Sequence, residues 1–154
     1  MSIEITIVIY VITFLFFATI VLGSFAIAKM GERANLKTFW LGYLPVIQFF
    51  VLGRLIETID FPNFRIPKAE IIFPLLPVVS FFSILYVPNV PFQVIIVFLC
   101  AIIWLYAWNT FFLLYANTVK KANIYTLVGG ILILPLYIFI FLLRKQKPNI
   151  LEEP

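Results

Sequence analysis

The sequence predicts an all-α integral membrane protein: a polytopic helical bundle of five apolar segments, about 3–28, 39–56, 71–87, 92–119 and 124–143, in a single membrane domain. Three observations predict it. Of 154 residues, 64% are hydrophobic and only 12% charged, where a soluble domain carries about 25% charged residues. Mean hydropathy is +1.11, and small domains bury the smaller fraction of their surface, so the surplus apolar area must face lipid or a partner. Finally, several apolar runs approach or exceed the ~20 residues needed to cross ~30 Å of hydrocarbon.

The first segment, from Ile3 to Ala28, reads as an uncleaved transmembrane helix. Ala26-Ile27-Ala28 has the small residues of a cleavage site, but no side-chain positive charge precedes the run, which far exceeds a signal-peptide core. Glu4 before it and Lys29, Arg33 and Lys37 after it put the N-terminus outside and residues 29–38 inside. Gly23, Ser24 and Ala28 allow close approach of another helix. The second segment, Phe39 to Ile56, has only sixteen residues before Arg54 if counted from Thr38, or about 24 Å of helix. Pro45 removes a backbone donor midway. The segment is therefore either a short tilted span or a re-entrant turn. Gln48 is suited to bond the backbone groups that Pro45 frees, and Trp40 and Tyr43 suit an interface.

Residues 57–70 read as an interfacial loop, because Pro62 and Pro67 oppose a continuous helix. The third segment holds Pro74 and Pro77. Pro88-Asn89-Val90-Pro91 makes a tight uncharged turn. The fourth segment ends at Lys120 and Lys121. The fifth holds Gly129, Gly130 and Pro135, and Arg144, Lys145 and Lys147 open a cytoplasmic tail, 144–154. Pro45, Pro74, Pro77, Gly129, Gly130 and Pro135 are the candidate helix breakers.

Charge tests the topology. Five crossings put six Lys and Arg inside and five outside, a poor positive-inside score. Three crossings by the first, third and fourth segments, with the second and fifth re-entrant, put all eleven on the cytoplasmic side. Re-entrant segments must find cover for their non-helical backbone, which weighs on the other side. Both arrangements leave the N-terminus outside and the C-terminus cytoplasmic.

The chain offers little reactive chemistry. It has no histidine, and Cys100, the single cysteine, lies in an apolar run as a small filler. Apart from Glu4 at the very start of the first, no carboxylate falls inside an apolar segment, which removes paired-carboxylate, metal and Ser-His-Asp arrangements. No phosphate-binding glycine loop occurs. Catalytic, cofactor-binding and metal residues are therefore assigned as none. Basic residues without a water-facing folded surface make no nucleic-acid footprint. Neutral polar residues are more informative. Tyr106, Asn109, Leu113 and Asn117 share one helical face, flanked by Thr110, and Trp104, Trp108, Phe111 and Tyr115 form another. An unpaired mid-membrane amide costs several kcal/mol, so Gln48, Tyr106, Asn109, Thr110 and Asn117 are candidate intramembrane contacts. Arg54 and Glu57, at i, i+3, are a candidate interfacial ion pair.

The stretch from Ala28 to Leu55 resembles a pattern in small uncharacterised polytopic membrane proteins of Gram-positive bacteria, at Leu36, Lys37, Trp40, Leu41, Pro45, Val46, Leu52 and Gly53. The ending, an apolar segment closed by Arg144-Lys145-Gln146-Lys147-Pro148, is similar too. Asn35 stands where that pattern has glycine, and Gln48 where it has asparagine. The resemblance implies a bacterial plasma membrane and a shared fold, and brings no catalytic residue. The expected function is a non-enzymatic accessory or scaffolding subunit, bound to lipid and to another membrane protein or to itself. A small transport component lined by Pro/Gly-broken helices, and an immunity or stress protein against membrane-active peptides, are the alternatives.

Overall fold

The computed structural model describes residues 3–44, 47–116, 118–131 and 133–146. The longest helix, α1 (Ile3–Arg33), has 31 residues, about 46 Å at 1.5 Å per residue. It outruns the apolar stretch by a turn, because Lys29 and Glu32 pair at 2.6 Å along its surface. Its end is built by hydrogen bonds. Asn35 N–H bonds the Glu32 carbonyl and Leu36 N–H the Gly31 carbonyl, both at 3.0 Å, with Asn35 at φ 55°. This is the paired cap that satisfies the last carbonyls of a helix, and it needs a residue tolerant of left-handed backbone.

The second predicted segment is two short pieces, a 3-10 turn (Phe39–Tyr43) and α2 (Gln48–Ile56). The chain folds back between them, since Arg54 Nη1 returns to within 3.3 Å of Thr38 Oγ1. Two glycines let it do so. A Cβ on Gly42 would lie 2.7 Å from the Ala28 nitrogen, and one on Gly53 would lie 2.4 Å from Glu70 Cα. Pro45 lies outside the described residues.

Residues 57–70 are more ordered than a loop. β1 (Thr58–Asp60) and β2 (Arg65–Pro67) pair antiparallel, with Ile59 opposite Ile66. Ile59 is fully buried. Glu57 and Lys68 flank the pair at φ 58° and 59°, and Ala69 N–H bonds the Glu57 carbonyl at 3.1 Å. The pair is thus pinned at its base, where α2 leaves and α3 begins.

α3 (Ala69–Tyr86) and α4 (Val90–Tyr115) form a long antiparallel hairpin. Pro74 and Pro77 do not break α3, contrary to expectation; membrane-type helices tolerate the lost donors where neighbours satisfy the carbonyls. Asn89 Oδ1 caps α4 by accepting from Phe92 N–H at 3.2 Å. Among the described residues three helices are long and apolar enough to cross a membrane: α1, α3 and α4.

The fifth predicted segment is two helices, α5 (Val119–Ile131) and α6 (Ile133–Leu143). Lys120 and Lys121, read as the end of the fourth segment, lie in the first turn of α5, because charge ends an apolar run without ending helix formation. The chain folds back after Ile131, bringing the Tyr125 and Phe139 rings to 4.4 Å. On one straight helix those residues stand about 21 Å apart. Gly129 and Gly130 lie within α5, and Pro135 sits in the first turn of α6, where a missing donor costs nothing. None of the three marks the break. A Cβ on Gly129 would lie 3.1 Å from Leu136 Cα, so its smallness serves the close packing of α6.

An aromatic core joins these parts. Trp108, fully buried, meets Phe73, Trp104, Phe111 and Phe112 with ring centroids 5.2–5.8 Å apart. Phe49 of α2 and Tyr125 of α5 extend the cluster on either side, at 5.2 Å from Trp104 and 5.6 Å from Phe112. Offset and edge-on pairs of this kind add about 0.5–1.5 kcal/mol each beyond their buried area.

Candidate functional site

Among the described polar and charged residues the most buried is Gln48, at 0% exposure. It opens α2, directly after the fold-back. Its Oε1 accepts from Ser24 Oγ at 3.0 Å, and its Nε2 donates to the Tyr137 hydroxyl. The single Ser24 proton is shared, since Oγ also lies 2.9 Å from the Ile20 carbonyl. One amide thus ties α1, α2 and α6 together. Gly23 makes room beside it: a Cβ there would fall 1.9 Å from the Tyr137 ring. The predicted bond from Gln48 to backbone around Pro45 falls on residues outside the described ones.

A second polar contact joins α4 to α5. Asn109 Nδ2 lies 3.2 Å from Asn123 Oδ1 and 3.3 Å from Thr126 Oγ1. Thr126 in turn donates to the Ala122 carbonyl at 2.9 Å. The predicted stripe on α4 divides. Asn109 turns to α5, while Thr110 accepts from Asp60 N–H at 3.1 Å and Tyr106 stacks on Phe61 at 4.2 Å, both serving the β-hairpin. Asn117 lies outside the described residues.

The predicted Arg54–Glu57 pair is replaced by another. Arg54 Nε stands 3.4 Å from Glu70 Oε2, a charge contact rather than an aligned hydrogen bond, and its ring neighbour is Phe50 at 4.9 Å. The reason is local. Glu57 has turned out of the helix at φ 58°, ψ −50°, so i, i+3 spacing no longer brings the two side chains together. Cys100 is buried between α3 and α4, beside Leu76, Pro77 and Trp104, along an apolar groove of about 160 Å³.

Chemically, both polar contacts are neutral. Amide and hydroxyl groups orient and bond; with no carboxylate or imidazole against them they have no group that takes up a proton near neutrality. Among the described residues no cluster of three or more His, Cys, Asp or Glu side chains comes together. Sequence reading missed Ser24, Asn123, Thr126 and Tyr137 as polar partners. Tyr137 carried a signal, as the one hydroxyl in the otherwise apolar run from Ile131 to Leu143. Comparison with family models, curated proteins and solved structures finds no match.

Proposed function

We propose that the chain is a multi-pass protein of a bacterial plasma membrane, with α1, α3 and α4 crossing and two re-entrant hairpins, 39–56 and 119–143, entering from the cytoplasmic side. Its function in this reading is that of a non-enzymatic accessory subunit that packs against another membrane protein. One observation carries the arrangement: the ends that bear charge gather at one end of the molecule. Arg33 Nη1 bonds the Arg144 carbonyl at 2.7 Å, Arg54 reaches Thr38 and Glu70, and Asn109 reaches Asn123. All ten described Lys and Arg lie at that end, and the turn joining α3 to α4 has none. Positive charge marks the cytoplasmic side. Asn35 at φ 55° also supports kinship with the small Gram-positive proteins, whose glycine suits the same left-handed cap.

The accessory role is supported by what is left over. Much of the first half of α1 is open among the described residues: Ile7, Val8, Tyr10, Phe14 and Phe17 are 56–71% exposed. The amides inside, by contrast, already have partners, Gln48 with Ser24 and Tyr137, and Asn109 with Asn123 and Thr126. A purification in mild detergent tests the role, with co-recovery of a second membrane protein expected; a lone monomer from every detergent would overturn it. For orientation, cysteines at Asn63 and Lys121 in a Cys100→Ala background should resist an impermeant maleimide in intact cells, and one at Asn89 should label. Labelling at Asn63 and Lys121 would restore five crossings.

A transport component is the second reading, favoured by the fold-back that places the Gln48 amide against α1 and α6, since broken helices mark many solute sites. Solute flux in proteoliposomes that is lost in Gln48→Leu and Asn109→Leu would select it over the accessory role.

A further inference from the structure

The α5–α6 hairpin carries only one sign of charge. Between Glu70 and Glu152 the sequence has no acidic residue, yet it has Lys120, Lys121, Arg144, Lys145 and Lys147. The fold brings the described four together. α5 and α6 run antiparallel with Tyr125 against Phe139 and Gly129 against Leu136. Continuing that register one turn toward the open end sets Lys121 level with Leu143 and Arg144, and Lys120 level with Arg144 and Lys145. Packed helices lie about 8–10 Å apart, so these cations sit within about one Debye length of each other at physiological salt. Arg33 of α1 joins them through its bond to the Arg144 carbonyl. The nearest acid on that helix, Glu32, is already paired with Lys29 at 2.6 Å.

Two further details fit an anion held at this mouth. Arg144 is pinned, its Nη1 bonding the Phe141 carbonyl at 2.7 Å and its guanidinium lying 3.5 Å over the Phe141 ring. Lys120, Lys121 and Lys145 are exposed and have no ion-pair partner among the described residues. The cations cluster at the open end of the two helices, Lys120 and Lys121 in the first turn of α5 and Arg144 and Lys145 directly after α6, which in the membrane reading is the level of the lipid phosphates.

We propose that the mouth of the α5–α6 hairpin binds the phosphodiester headgroup of an anionic phospholipid. The proposal rests on the membrane reading above, but the two fail separately. Maleimide labelling reports orientation, whereas lipid retention in micelles reports headgroup preference and is blind to orientation. The full chain in mild detergent is mixed with equal amounts of phosphatidylglycerol and phosphatidylcholine, and the retained lipids are counted by native mass spectrometry. The native protein should retain phosphatidylglycerol about tenfold over phosphatidylcholine. Lys120→Gln/Lys121→Gln/Lys145→Gln should fall to within about twofold of parity, while Lys120→Arg/Lys121→Arg/Lys145→Arg keeps the preference. A remote triple, Lys37→Gln/Arg65→Gln/Lys68→Gln, should keep it too. No preference in the native protein, or equal loss in the remote triple, overturns the proposal. So does displacement of the lipid by inorganic phosphate, which reassigns the site to a free anion. Unchanged thermal midpoints in the glutamine variants exclude unfolding as the cause.

Discussion

The two fold-backs, 39–56 and 119–143, solve the same problem with opposite means. The first is held by backbone pressed on backbone. Gly42 lies against Ala28, Gly53 against Glu70, and Gln48 reaches across to Ser24 and Tyr137. Its one charge is matched as well, with Arg54 beside Glu70. The second is held by rings and by one small residue, with Tyr125 stacked on Phe139 and Gly129 beneath Leu136, and its charges are all of one sign. A contact between backbones has nowhere to move, while a contact through a side chain can relax by rotation. The first hairpin is therefore the rigid part of the molecule and the second the adaptable one.

Substitutions sharpen or break that contrast. The largest loss is expected from Gly53→Ala, whose new methyl meets the Glu70 backbone; it should cost about 3 kcal/mol, at the upper end of overpacking, and appear as a lowered thermal midpoint in detergent. Gly129→Ala meets Leu136 Cα at 3.1 Å, closer than ordinary contact but wider than the clash at Gly53, and should cost about 1 kcal/mol in the same assay. A larger loss at Gly129 than at Gly53 would reverse the assignment of rigidity. Gln48→Leu removes the amide that joins three helices and should cost about 1–2 kcal/mol. Tyr137→Phe should cost about 0.6 kcal/mol alone and almost nothing in the Gln48→Leu background, because the phenol loses that amide partner in either case. Additive losses would show that the two side chains act independently. Asn109→Leu, at the looser contact between α4 and α5, should cost about 0.6 kcal/mol, since neighbouring hydroxyl and amide groups can re-pair.

Much of this was legible in the chain. The long apolar runs gave α1, α3 and α4, and the short length of 39–56 with Pro45 in its middle made a fold-back one of the two readings of that segment. The second fold-back was hidden. Gly129-Gly130 and Pro135 lie within α5 and α6 and do not mark the fold-back between them, since a glycine can serve packing and a proline can open a helix as well as end one. The polar residues of α4 were identified, but their partners were not. Asn123, Thr126 and Asp60 are distant in sequence, and hydrogen-bond pairing across elements leaves no mark in local spacing. Arg54 shows the same limit, because i, i+3 spacing holds only while the backbone stays helical, and Glu57 leaves it.

The small strand pair between α2 and α3 has an engineering consequence. Its base is closed by the bond between Ala69 N–H and the Glu57 carbonyl, and its tip, at Pro62 and Asn63, is exposed. The length of connecting chain is thereby uncoupled from the spacing of the two helices it joins. Extra residues placed at the tip lengthen a spur and leave the helices where they were. An epitope or a small fluorescent domain inserted after Asn63 should leave the fold intact, while the same cargo inserted after Glu57 or Lys68 pries the base open.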